Sequence, residues 1–515
     1  MTSSRASAFS RSDSTIAQLV ICIVVIAGLA ALRATFAATI DLRVDEAYYW
    51  TWSREGAMSY LDHPPLVAVC IRFGTLLFGD SNFGVRFSGV LSMLVMQLLL
   101  ADIVWRTVRD LRYVLVAALL PEACLTFGLG MAKITPDVAL IPFELAMTWS
   151  LVRLWQSDDQ RWWLAAGLSG GLALASKYTA LLLLPAVALF VLVPDWRGRQ
   201  LRSPYLWLGA ALALLVFTPV LYWNATHDWA SFRFQLDRPA QISGWSAKFF
   251  GDFIGQQFVL LGVLMFPVMM WGTAMLAMRG FRRRDGVAVL LSSAVIVPLL
   301  FLIRHSLSAR VGDSWPLFIW PLAFACTAIS FKHWREESPS WPARFSLATL
   351  VVAIAGGIAF VAATELYYLT GKANVLGKND PIGKEISFAD VVAAADAARK
   401  NAGAKWFVTT DYRMWSMLRW HLRDAVPVIQ INERARYVGF HAPALDGNVA
   451  LYVAPEGNRS LALWDKTNAT RQTVGKVDLA WRGVIYDVYM LQKVTGFKPV
   501  LSPPPGDPLY VAAPN

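Results

Sequence analysis

Apolar runs recur along the first two thirds of the chain, near 16–38, 87–104, 113–130, 137–154, 162–176, 179–194, 204–223, 253–278, 287–303, 316–331 and 345–369. Most are long enough for a helix to cross a hydrocarbon layer about 30 Å thick. Eleven spans are therefore expected, although 162–176 and 179–194 are short for a crossing. The first run follows Arg5 and Arg11, exceeds the apolar core of a secretory signal and lacks a clear cleavage site, so it predicts a retained helix. Leu66–Phe78 is apolar over 13 residues and broken by Arg72, which predicts a helix lying along the membrane interface. From about residue 370 the pattern shortens and becomes polar. It predicts helices at Phe388–Ala398 and Trp415–Leu422 and strands at Trp406–Thr409, Val426–Ile431, Val449–Val453 and Val484–Leu491, followed by a Pro-rich stretch, Ser502–Pro514.

Composition agrees with burial in lipid: of 515 residues, 56% are hydrophobic and only 16% charged. The net charge of +11 does not point to nucleic acid, because the basic residues fall in short clusters between apolar runs rather than on one face. Those clusters set an orientation instead, since loops on the cytoplasmic side collect Arg and Lys. Every second loop does so: Arg106, Arg109 and Arg112; Arg153 and Arg161; Arg197, Arg199 and Arg202; Arg279 and Arg282–Arg284; Lys332, Arg335 and Arg344. The N-terminus is thus expected in the cytoplasm, and the first loop (39–86) and everything after 370 outside. The four cysteines lie in or beside apolar runs and read as small buried hydrophobes, not as a disulfide or metal framework.

The expected architecture is an α-helical polytopic membrane domain, 1–369, with a structured first outer loop, 39–86, and an extracytoplasmic α/β domain, 370–515. The outer loop is chemically dense. Between Asp41 and Pro65 it holds five carboxylates, two arginines, His63 and several aromatics. The C-terminal domain shows no spacing of a metal or nucleophile motif and reads as accessory. The 22 tryptophans mostly read as interfacial belts, with Trp50 and Trp52 the pair that sits among polar residues.

Asp45-Glu46 directly after a span, followed by Tyr48, Tyr49 and Trp50, resembles the signature of membrane glycosyltransferases that take sugars from polyprenyl-phosphate donors. This is the superfamily of protein O-mannosyltransferases and lipid A aminoarabinose transferases, with the GT-C fold. Further motifs match in order: Leu61-Asp62-His63-Pro64-Pro65, Thr135-Pro136-Asp137, Ser176-Lys177-Tyr178, Asp228-Trp229-Ala230-Ser231-Phe232 and Asp313-Ser314-Trp315-Pro316. The resemblance covers nearly the whole membrane part. At one position it departs: where relatives often have lysine after the acidic residue, this chain has His63, whose charge depends on pH.

That resemblance implies an inverting displacement in which an acceptor hydroxyl attacks the anomeric carbon, with one carboxylate taking the proton and cations steadying the departing lipid phosphate. It implies Asp45 as the base, with Glu46 beside it. Lys177, His63 and Arg310 are the candidate phosphate contacts, and Asp62, Asp137, Tyr48 and Trp50 are expected to shape the site. Glu46 and Asp62 are left between orienting the acceptor, binding a divalent cation and holding the loop arginines; no cofactor is certain and no metal-ligand spacing is present. Each residue also has an ordinary reading. A juxtamembrane carboxylate commonly pairs with a neighbouring Arg, a span-end lysine snorkels, and Asp137 suits a helix N-terminus.

The expected partners are a polyprenyl-phosphate-linked sugar, a lipid or saccharide acceptor (lipid A, core saccharide or another envelope glycolipid) and membrane lipids, in the bacterial inner membrane. Transfer to protein is the nearest alternative. A lipid-sugar transporter or flippase is the alternative from another class, and it would place ionisable residues deep within several spans.

Overall fold

The computed structural model describes residues 2–240, 245–337, 341–370, 377, 386–438, 440–441, 445, 447–457 and 469–499. The predicted Pro-rich segment Ser502–Pro514 lies outside them. The chain divides into two compact units, each assembled from separated segments: Met1–Ala37, Arg86–Pro219 and Pro239–Leu366 in the first, Ala38–Val85, Val220–Arg238 and Tyr367–Asn515 in the second.

Among the described residues, six helices are long and apolar enough to cross a membrane: Ile16–Thr39, Asn82–Val108, Pro136–Ser157, Pro204–Thr226, Gly286–Ser306 and Ala348–Thr370. Two bent pairs raise the number to as many as eight, so the eleven expected crossings are not reproduced by length and composition. The physical reason is visible at the breaks. The run read as one span at 253–278 is two helices, Ala247–Leu261 and Met265–Arg283, meeting at 100°, and the joint is Gly262 at φ +102, a conformation that L side chains resist. The run near 113–130 is likewise split, Leu111–Ala123 from Leu125–Ala132, at 79°. There Pro121, which cannot donate to the preceding turn, opens a short 3₁₀ segment, Pro121–Ala123.

Within the first unit the short helix Trp162–Ser176 packs backbone-close on Pro204–Thr226. A Cβ added at Gly167 would stand 2.1 Å from the Gly209 carbonyl oxygen, and one at Gly209 2.3 Å from that of Trp163. Small residues therefore supply the approach that hydrophobicity cannot drive among lipid tails. Arg33, on the first helix, is paired at 2.5 Å with Glu122, which also accepts from Gln97 at 2.9 Å. All three are buried, so each charge is kept by its partners.

The second unit contains two helices of the segment 39–86, Val44–Glu55 and Leu66–Phe78, the latter with the predicted bounds. It also contains a five-stranded sheet with order β2-β1-β3-β5-β4, in which β1 is Trp406–Thr409, β2 Val428–Gln430, β3 Val449–Pro455, β4 Thr470–Trp481 and β5 Val484–Thr495. β1 runs parallel to β2 and β3, whereas β5 is antiparallel to β3 and β4. Trp406, Val408, Ile429, Tyr452 and Val494 form the core on one face.

β4 was not foreseen. It is an edge strand with mostly exposed side chains, so it carries little alternation of apolar and polar positions. What pins it is the turn at Arg482-Gly483, both with positive φ, between the paired residues Trp481 and Val484. The helix Tyr412–His421 of this α/β part packs on Val44–Glu55 of the outer loop. Trp420 meets Trp50 edge-on at 5.2 Å, and Arg419 reaches Glu55 at 3.3 Å. The loop and the C-terminal residues therefore share one packed body.

Candidate active site

The predicted site residues fall into two clusters, one in each unit. In the second unit, Asp45 and Glu46 open the helix Val44–Glu55. Glu46 turns back to accept from the Arg43 backbone N–H at 3.0 Å, satisfying a donor that the helix start would leave unpaired. Asp45, one residue earlier, points outward. Its side chain is solvent-accessible yet enclosed by enough protein that burial pushes its carboxyl above the usual range. Arg43 and Tyr412 act in the opposite direction, while the negative charges of Asp62 and Glu46 reinforce the rise.

Asp62 is buried and fully engaged. Arg436 donates to Oδ1 at 2.5 Å, Tyr48 donates to Oδ2 at 2.9 Å, and Gln235 donates to the Asp62 backbone carbonyl at 2.5 Å. Burial works to raise the Asp62 carboxyl, but Arg436 and the adjacent His63 outweigh it and hold the group ionised. Arg436 also donates to Glu433 at 2.9 Å. Tyr48 is kept protonated by burial and by the charge of Asp62. His63 is half-buried, its ring 6.3 Å from that of Tyr49.

Trp50 donates to Asp80 at 2.9 Å, and Trp52 stacks on Tyr60 at 4.2 Å. These two indoles are 1% and 0% exposed, so neither presents a face to solvent. The motif Asp228–Phe232 leads into the helix Ala230–Ala240, whose Ala230 and Phe234 pack with Leu61 and Ala435.

In the first unit, Thr135 caps the helix Pro136–Ser157 by accepting from the Val138 N–H at 3.3 Å, with Pro136 at the first helical position. That places Asp137 in the first turn. Lys177, at the end of the helix Trp162–Ser176, donates to both Asp137 oxygens at 2.7 Å. Two motifs separated in sequence thus meet at Asp137. The pair is buried, 6% exposed for Lys177 and 2% for Asp137. Arg310 is exposed, on the segment after the helix Gly286–Ser306.

Several residues of these clusters were not singled out by the sequence. Tyr412, Glu433 and Arg436 belong to the domain read as accessory, and no spacing signal links them to the outer loop. Glu144 lies two turns beyond Asp137 on the same helix, fully buried, with neither oxygen hydrogen-bonded among the described residues. A lone acid inside a span was its available signal. Of the carboxylates left open as cation ligands, Asp62 spends both oxygens on Arg436 and Tyr48, and Glu46 one on its helix start. Among the described residues no three His, Cys, Asp or Glu side chains are grouped to hold a metal ion.

Comparison with known proteins follows the same lines. The fold matches the crystal structure of ArnT from Cupriavidus metallidurans bound to undecaprenyl phosphate, with a TM-score of 0.62 over 92% of this chain and 98% of that one, at 13% identity. The profile of the dolichyl-phosphate-mannose-protein mannosyltransferase family matches residues 62–223. The lipid A galacturonosyltransferase RgtD of Rhizobium johnstonii is 26% identical over 395 residues, 75% of this chain and 78% of that protein. The chain is thus similar to glycosyltransferases in sequence and shares the fold of one of them. An undecaprenyl phosphate-α-4-amino-4-deoxy-L-arabinose arabinosyl transferase of Sodalis glossinidius is 33% identical over 152 residues, 28% of this chain and 27% of that one. The family match includes Asp62, Asp137 and Lys177 but stops short of Asp45 and of the C-terminal residues that grip Asp62.

Proposed function

We propose that this GT-C enzyme transfers a sugar from a polyprenyl-phosphate donor to a hydroxyl of lipid A, core saccharide or a related envelope glycolipid, on the outer face of the bacterial inner membrane. The names of its relatives support the donor and acceptor classes: one acts on lipid A, another on an undecaprenyl-phosphate-linked aminoarabinose, and the fold neighbour holds undecaprenyl phosphate. The observation that carries the chemistry is the contrast among the loop carboxylates. Asp62 and Glu46 are committed to Arg436, Tyr48 and the helix start, whereas Asp45 is open to solvent and raised by its surroundings.

A carboxylate raised above the usual aspartate range is better matched to an alcohol proton than an ordinary aspartate. The acceptor oxygen bonds to the anomeric carbon from the face opposite the phosphate, its proton passes to Asp45, and the electron pair of the broken C–O bond leaves on the lipid phosphate. Configuration inverts. The phosphate carries its own negative charge and needs cations rather than a proton, a role assigned to Lys177, with His63 and Arg310 as further candidates. Asp137 holds the Lys177 Nζ through two hydrogen bonds. The deciding experiment is transfer of radiolabelled sugar from a synthetic polyprenyl-phosphate donor by purified protein in detergent. Transfer to lipid A or core saccharide supports the reading, and no transfer to any hydroxyl acceptor overturns it. The description of the matching family keeps protein hydroxyls as the second acceptor class to assay.

Lys177→Ala is expected to raise the donor KM and lower turnover by at least tenfold, because a buried ammonium makes charge-assisted bonds that a methyl group does not replace. Acceptor KM should stay within about twofold. A variant with unchanged donor KM and turnover moves the phosphate contact to Arg310 or His63.

Orientation gives a second expectation. A reporter fused after Arg284 should be cytoplasmic and one after Gly371 external, following the Arg-rich loops. Both reporters on one side would overturn the proposed placement of the C-terminal domain.

A further inference from the structure

We propose that the helix Leu66–Phe78 and the end of the helix Val44–Glu55 form a seat for one anionic phospholipid of the surrounding bilayer, its phosphate on Arg72 and an acyl chain in the groove between the helices. Both helices lie in the second unit. Burial divides Leu66–Phe78 lengthwise. Val67, Ile71 and Gly74 are buried, whereas Val69, Phe73 and Leu76 are 55%, 49% and 68% exposed, with Arg72 exposed among them. Positions 69, 72, 73 and 76 have the three- and four-residue spacing that gathers side chains on one face of a helix. That face borders a cavity of about 300 Å³, lined by Trp52, Tyr60, Val69, Arg72, Phe73 and Leu76. Its far wall is rigid: Trp52 and Tyr60 are stacked, and the Tyr60 hydroxyl donates to the Trp52 carbonyl at 2.7 Å. Beside it the helix Val44–Glu55 stops at Gly56, at φ +67, where a Cβ would meet nothing within 4 Å. The groove therefore stays open on that side.

The chain itself brings the bilayer to this face. Only Gly79-Asp80-Ser81 separate Phe78 from Asn82–Val108, a helix long and apolar enough to cross a membrane. The corner is fixed: Phe78 meets Phe83 edge-on at 4.9 Å, and the Ser81 hydroxyl accepts from the Gly84 N–H at 3.0 Å. An apolar helix face held at the end of a crossing helix lies where acyl chains meet headgroups. Arg72 then selects the occupant. Its neighbour Arg54 is engaged, 3.6 Å from Asp80 and over the Trp50 ring, whereas Arg72 is paired with no carboxylate among the described residues. A guanidinium set among apolar side chains beside lipid is costly unless it reaches an anion. The phosphate of a lipid headgroup is the anion of that layer, and its oxygens match the planar fork of an arginine. A net negative headgroup adds attraction that a zwitterionic one lacks.

The test is photolabelling of the full-length protein in phosphatidylethanolamine bilayers that contain phosphatidylglycerol with a diazirine on one acyl chain, the labelled peptides being mapped by mass spectrometry. Adducts are expected within Val69–Leu76. They should fall by about fivefold or more in Arg72→Gln, which removes the charge, and in Val69→Trp, which keeps the charge and fills the groove. Arg72→Lys should retain most of the labelling. Both altered positions are exposed, so the thermal midpoint in detergent should stay near wild type, and either variant carries the test if the other fails to fold. Labelling that is equal in wild type, Arg72→Gln and Val69→Trp is ordinary bilayer contact and overturns the proposal, as does an absence of adducts. Equal labelling by the corresponding phosphatidylcholine overturns the charge selection. Adducts displaced by an equimolar amount of polyprenyl phosphate would give the groove to that lipid instead, and the assignment to a bilayer phospholipid would fail.

Discussion

Asp45→Asn is expected to lower turnover by roughly 10²- to 10⁴-fold, the range associated with loss of a general base, while protein yield and donor KM stay near wild type. The structure explains why folding should be spared. Asp45 is exposed and leaves the capping of its helix to Glu46, and an amide of the same shape fits its place. It cannot take a proton from the acceptor. Glu46→Gln is the matched control, because the amide oxygen can still accept from the Arg43 N–H, and its turnover should remain within about tenfold of wild type. Single-turnover assays with preloaded donor read the chemical step directly. Wild-type rates for Asp45→Asn would remove it as the base, and a dead Glu46→Gln beside them would move the assignment one residue along the helix.

Arg436→Leu is the second large effect, and it falls on stability. Arg436 and Asp62 are buried and bonded at 2.5 Å, so removing the guanidinium strands an ionised carboxylate that Tyr48 alone must satisfy. Breaking a buried pair from one side costs about 3–5 kcal/mol, most of it the penalty of the uncompensated charge. The expected result is a clear drop in thermal midpoint in detergent, with earlier proteolysis in the C-terminal residues. Combining Arg436→Leu with Asp62→Asn should recover part of the loss, since the stranded charge is then gone. A midpoint equal to wild type for the single variant would show that water already screens Asp62. Asp62→Asn alone is consequently a poor control for the base, because any fall in rate would mix chemistry with a loosened fold.

The membrane helices were legible because a span leaves a long apolar signature that no soluble element of equal length imitates. The helix Leu66–Phe78 was legible with its observed bounds, as an apolar run set off from its neighbours. Breaks inside runs were not. Gly262 sits in an apolar stretch that hydropathy reads straight through, and only its backbone conformation turns the chain by 100°. In the C-terminal part β1 was read with the observed bounds, whereas β4 was lost because an exposed edge strand has no buried face to mark.

Which residues carry charge and chemistry was therefore a matter the sequence determined by itself: the acid pair at Asp45-Glu46, the Asp62-His63 step, Asp137 and Lys177 all stand out locally against apolar surroundings. How they are partnered was decided only by tertiary structure. Lys177 and Asp137 lie 40 positions apart, and Asp62 and Arg436 lie 374 apart. No periodicity or spacing spans such separations, because the ion pairs form where helix starts and strand ends are brought together by packing of the whole unit. The same packing separates the fates of chemically equal carboxylates, neutralising Asp62 with Arg436 and leaving Asp45 open, and burial and charge pairing are the physical reason.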